Sequence, residues 1–85
     1  MATITNAIRK LKKAGYTLSE NGSRITAKNG TKYFIQVLRN GGEWRDSVAV
    51  IDVRREGQED DSMTDYHAGT FARNITQAIQ LAQGF

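Results

Sequence analysis

Two Asn-Gly pairs, Asn21-Gly22 and Asn29-Gly30, turn the chain back on itself twice within a stretch too short for anything but strands. Both residue types tolerate positive φ, which the tight turns of β-hairpins demand, and Asn-Gly is the strongest short-range hairpin signal. The flanking segments read as strands over residues 16–20, 23–28 and 31–39. A two-residue loop at Asn21-Gly22 sets Leu18 opposite Ile25 and Tyr16 opposite Ala27, making one face apolar. At the second turn, a strict two-residue loop would set Phe34 opposite Ile25 and turn Tyr33, Ile35 and Val37 outward. A three-residue loop with a glycine bulge is therefore expected, because it brings the richer apolar set inside.

Residues 39–46, centred on Gly41-Gly42, read as a flexible connection to a fourth strand over residues 47–55. Alternation there is expected to put Ala49, Ile51 and Val53 on the core side, since the opposite choice buries Asp52. Helical periodicity brackets the strands. Ile4, Ala7, Ile8, Leu11 and Ala14 recur at helical spacing, with Thr3 or Thr5 as the cap and Gly15 as the left-handed stop. Phe71, Ile75, Ala78, Ile79 and Ala82 repeat the pattern, with Thr70 as the cap and Gly84 and Phe85 closing the end. Between the last strand and this helix, residues 56–69 are polar and acidic, a long loop of a kind that is often functional. The chain is thus expected to be a single α+β domain over residues 1–85. It reads as a two-layer αββββα order, an antiparallel four-stranded meander with both helices on one sheet face.

An 85-residue chain buries about 60–65% of its unfolded surface, which leaves thin walls for a water-excluding cleft. It contains no cysteine and no apolar run of membrane-spanning or leader length. A cytoplasmic protein in a reducing compartment, not associated with a membrane, is the expectation. Charge is unevenly shared. Residues 1–42 hold eight Lys and Arg against Glu20 alone, a net +7, whereas residues 43–85 hold four against eight Asp and Glu, a net −4.

Few residues suggest chemistry. His67 is the only histidine, and Asp60, Asp61 and Asp65 lack the alternation and glycine of a calcium loop, so no metal site is expected. Ser62, Asp65 and His67 lie too close together in sequence to form a nucleophilic triad, and Gly41-Gly42 lacks the residues of a phosphate loop. Neither a catalytic site nor a cofactor is expected. Two binding surfaces are. Trp44, with Arg39 and Arg45 nearby, could stack on a base or, with Tyr66 as well, anchor a partner protein, although Trp44 could equally lie over the edge of a small core. Alternatively, Arg9, Lys12, Lys13, Arg24, Lys28 and Lys32 could meet the phosphates of a nucleic acid. The element order is also similar to that of double-stranded RNA-binding domains, but the start of the second helix, residues 68–73, carries Arg73 as its single cation.

Over about the last 30 residues, the runs Asp60-Asp61-Ser62-Met63-Thr64-Asp65-Tyr66, Gly69-Thr70-Phe71 and Asn74-Ile75-Thr76-Gln77-Ala78-Ile79 carry a resemblance. The chain resembles the large polyvalent protein-associated domains of phages and mobile elements. The resemblance implies a viral or plasmid product in the cytoplasm of a bacterial host cell. It further implies an accessory or anti-defence role, of the anti-CRISPR type, in which a host protein or nucleoprotein complex is occluded. It transfers no catalytic residues.

Overall fold

A computed structural model describes residues 3–57 and 69–84. The first helix, α1, runs Ile4–Lys13 and is capped by Thr3, whose hydroxyl accepts from the Asn6 N–H at 3.2 Å. Its end is a Schellman closure. Gly15, at φ 91°, donates to the Lys12 carbonyl, and Tyr16 donates to the Leu11 carbonyl, both at 3.0 Å. Leu11 and Tyr16 join the same core cluster, which supplies the apolar contact that usually accompanies this motif.

The strands follow in chain order: β1 Thr17–Asn21, β2 Arg24–Lys28, β3 Tyr33–Arg39, β4 Val48–Arg55 and β5 Gly69–Ala72. They form one antiparallel sheet, each strand pairing with the one before it. The second long helix, α2, covers Ile75–Gly84. The expected order of helix, antiparallel meander and helix, with both helices on the sheet, is what the structure shows, and β5 extends the meander by one strand. Helical spacing places Phe71 one repeat before Ile75 and so at the start of α2. The polar residues decide otherwise. Asn74 Oδ1 accepts from the Gln77 N–H at 2.8 Å while Gln77 Oε1 accepts from the Arg73 N–H at 2.6 Å, and this reciprocal cap starts the helix at Ile75.

Both hairpin registers differ from expectation by two residues. Leu18 faces Ala27 and Asn21 faces Arg24, so Gly22-Ser23 forms the first loop, with Gly22 alone at positive φ, as a type II′ turn requires. In the second hairpin Ile35 faces Ala27 and Val37 faces Ile25. The loop there is longer than three residues, but a shift of two preserves the face, and Ile35 and Val37 are fully buried, as anticipated.

Among the described residues fourteen apolar ones are buried, and thirteen of them make one cluster that joins Ile4, Ala7 and Leu11 of α1, Ile75, Ala78 and Ala82 of α2, and Ile25, Ile35, Val37, Ile51 and Val53 of the sheet. Two assignments on β4 need correction. Ala49 is exposed, because the register slips between Leu38 and Arg39 and leaves it at a bulge, so Val48 packs on the cluster instead. Asp52, expected on an open face, is fully buried. Its Oδ2 lies 2.6 Å from Nε of Arg54, itself fully buried, and Phe34 and Gln36 are buried on the same face of β3, away from the helices. The central strands are therefore buried on both faces.

Replacing Ile51 or Ile75 with Ala is expected to cost about 2–4 kcal/mol, since each leaves a cavity in the shared cluster. Urea unfolding measures this, and a loss below about 0.5 kcal/mol at both positions would contradict the core described.

Tyr16 makes a second test. Its hydroxyl is buried without a hydrogen-bond partner among the described residues, and burial pushes its pKa above the usual value of about 10. The folded protein thus holds this proton more tightly than the unfolded chain. Above about pH 10, unfolding releases the proton, so the contribution of Tyr16 to stability declines as pH rises toward the folded pKa. The stability difference between wild type and Tyr16→Phe should therefore shift in favour of the variant across that window. A difference that stays constant through pH 9 to 11 (about one unit either side of the usual tyrosine pKa) would refute the assignment.

Candidate functional site

Between β3 and β4 the chain makes a tight excursion that lifts Trp44 off the body of the protein. Gly42 takes φ 63° and opens the 3₁₀ turn Gly42–Trp44. The Trp44 N–H donates to the Gly41 carbonyl and the Arg45 N–H to the Gly42 carbonyl, both at 3.3 Å, while the Ser47 N–H returns to the Trp44 carbonyl at 2.8 Å. The base of the excursion is closed by the Asn40 N–H on the Ser47 carbonyl at 3.0 Å. It is tied to the start of α1 by a bridge between Thr3 and Ser47 and by the Ile4 N–H on the Asp46 carbonyl at 2.7 Å.

On this braced turn the Trp44 side chain is 60% exposed, the one large hydrophobic side chain left so among the described residues. Of the two placements the sequence left open for Trp44, the structure takes the exposed one. The indole borders an open hollow of about 330 Å³ shared with Asn40, Gly41 and Ser47. Arg45 is exposed in the same turn. Arg39 is not displayed beside Trp44: its side chain is mostly buried, and its guanidinium lies 3.7 Å from the carboxylate of Glu20. Tyr66, the fourth residue expected here, lies outside the described residues, as do Ser62, His67 and the acids Asp60, Asp61 and Asp65.

The six cations expected to meet nucleic acid do not form one surface. Arg9, Lys12 and Lys13, with Lys10, project from α1, which carries no acidic residue, and they make no ion pair among the described residues. Their place near the helix C-terminus suits the macrodipole. Arg24 and Lys28 alternate on β2 with the buried Ile25 and Ala27, so they belong to the face of the sheet turned away from α1. Lys28 Nζ stands 5.2 Å above the ring of Phe34. Lys32 is exposed on the turn that follows. A thickness of sheet and helix separates the two sets.

Two further hollows follow from this layout. One of about 330 Å³ runs between the helices, with Lys10, Lys13 and Ala14 on one side and Thr76, Ile79 and Gln80 on the other. A smaller one of about 180 Å³ is lined by Lys28, Gly30, Thr31, Phe34 and Glu56. No cluster of three His, Cys, Asp or Glu able to hold a metal is found among the described residues. The buried Asp52–Arg54 pair escaped the sequence reading, although its signal was present: opposite charges two apart on a strand share a face.

Compared with known proteins, the chain matches no family model, no curated protein and no solved structure.

The division of the cations is testable with a duplex oligonucleotide. If all six acted together, the logarithm of affinity would fall against that of salt with a slope near −5, whereas one face engaging three phosphates gives about −3. Reversing Arg9, Lys12 and Lys13 as one set, and Arg24, Lys28 and Lys32 as another, should abolish binding for one set only. The steeper slope together with loss in both sets would overturn the separation.

Proposed function

We propose that the protein is a non-catalytic binding module that occupies the surface of another macromolecule, with Trp44 as its anchor. One observation carries this reading: a tryptophan held largely in solvent on a turn closed by hydrogen bonds from both flanks. A large rigid side chain at low entropic cost is what dominates the centres of protein interfaces, and leaving it in water disfavours the free protein. Arg45 adds a fork of donors suited to carboxylates at the rim. The opposite charges of the two halves of the chain supply long-range steering. In the setting implied by the resemblance to phage and mobile-element domains, the partner is a bacterial host protein or nucleoprotein complex, and binding occludes it in the manner of an anti-defence factor. Direct occlusion fits better than mimicry of DNA, because the chain is net basic.

A second reading has its own support in the four exposed α1 cations without a counter-charge among the described residues. This is an electrostatic surface for phosphates, and it accounts for weak, salt-sensitive and sequence-independent affinity for DNA or RNA.

Affinity capture from bacterial host lysate, with and without nuclease, separates the two. The expected result is a partner retained after nuclease treatment, with affinity reduced at least about 30-fold by Trp44→Ala, the loss typical of an interface anchor. The melting temperature should be unchanged, since the indole lies outside the core. Capture that disappears with nuclease, or a partner indifferent to Trp44→Ala, would favour the phosphate-binding surface instead.

A further inference from the structure

The chain holds three Asn-Gly pairs, Asn21-Gly22, Asn29-Gly30 and Asn40-Gly41, all in its basic half. We infer that Asn29-Gly30 is a site of spontaneous deamidation that converts the protein into a more acidic form. The reaction needs no enzyme. The backbone nitrogen of the following residue loses its proton to solvent and attacks the side-chain carbonyl carbon of Asn. The new carbon–nitrogen bond forms and the side-chain carbon–nitrogen bond breaks, its nitrogen taking a proton from solvent and leaving as ammonia, which gives a five-membered imide. Water then adds to either ring carbonyl and breaks one of the two ring bonds, leaving Asp or its β-linked isomer. Glycine in second place favours attack, because no Cβ crowds the nitrogen and the backbone is free to swing toward the side chain.

What distinguishes the three pairs is how firmly the fold holds that backbone. Asn21 belongs to β1, paired with Arg24 across a two-residue loop, so the ladder resists the swing. Asn40 is half-buried and donates to the Ser47 carbonyl, while the Gly41 carbonyl accepts from Trp44. Asn29 and Gly30 belong to neither β2 nor β3 and are both exposed. The Gly30 N–H, like those of Gly22 and Gly41, makes no hydrogen bond among the described residues, so the difference lies in the backbone on either side. The anchors of this turn lie further on, where the Thr31 hydroxyl engages Tyr33 and the Lys32 carbonyl accepts from Glu56. Gly30 also borders the hollow of about 180 Å³, which has room for the water that opens the ring.

The product carries a new carboxylate between Lys28 and Lys32 and lowers the formal net charge from +3 to +2. The β-linked product also adds a methylene to the backbone of the turn that joins β2 to β3. The test is incubation of the folded protein in mildly alkaline buffer, followed by ion exchange and peptide mapping with fragmentation that separates the two acid isomers. Asn29 is expected to lose its amide faster than Asn21 and Asn40. Asn29→Ser, which keeps a turn-forming residue but cannot cyclise, should abolish the main acidic species. In denaturant, where no ladder restrains any pair, the lead of Asn29 should vanish. Equal or faster conversion at Asn21 or Asn40 in the folded protein, a lead that persists in denaturant, or no acidic species at all would overturn the assignment.

Discussion

The ion pair between Asp52 and Arg54, 2.6 Å apart and wholly removed from solvent, decides what β4 can present to the helices. A carboxylate at that depth is tolerated only beside its partner, since removing one member of a buried pair typically costs about 3–5 kcal/mol. Because the two residues are two apart on a strand, they share a face, and Ile51 and Val53 take the other. A slip of one residue would push both charges into the apolar cluster and expel the two aliphatic side chains. The pairing of Val53 with Ile35 and of Ile51 with Val37 follows from that choice. The bulge at Ala49 then breaks this alternation, and beyond it Val48 takes the apolar side.

The sheet accordingly has two faces of different chemistry. Toward the helices its fully buried residues are aliphatic, with Tyr33 packed beside them, and the layer above it is one cationic helix beside one that bears no charge. On the far side, Phe34, Gln36, Asp52 and Arg54 are buried while Arg24 and Lys28 flank them. The exposed side chains are distributed to match. The cations are divided between layers, whereas the exposed aromatic stands apart from both, on the excursion between β3 and β4.

Much of the fold could be read from residue patterns because the strongest signals were local. The Gly15 stop, the Thr3 cap and the helical spacing of Ile4, Ala7 and Leu11 need no tertiary knowledge, and α1 ends where they place it. The hairpins were recognised by their Asn-Gly turns, yet both registers moved by two, because a period of two leaves the buried face unchanged and sequence patterning is blind to such shifts. The strand at Gly69–Ala72 was missed because four residues cannot show a period, and Phe71 happened to extend the helical one. The rule that an acid marks a solvent face failed at Asp52, where Arg54 offsets the cost of burial. At the candidate site, Trp44 was legible as an unusual residue among glycines. The diversion of Arg39 to Glu20 was not, since the two are 19 positions apart in sequence.

The bracing of the Trp44 excursion by the start of α1 has a bearing on how the molecule assembles. Every strand pairs with its predecessor, so most of the sheet can zip through short loop closures that cost little chain entropy. The contacts of Thr3 with Ser47 and of Ile4 with Asp46 are of another kind, closing about forty residues at once. Their closure costs least chain entropy once the hairpins have shortened the effective distance between the ends. Presentation of the indole is thereby tied to docking of the first helix, since Thr3 and Ile4 make the clasp that holds the Trp44 turn in position.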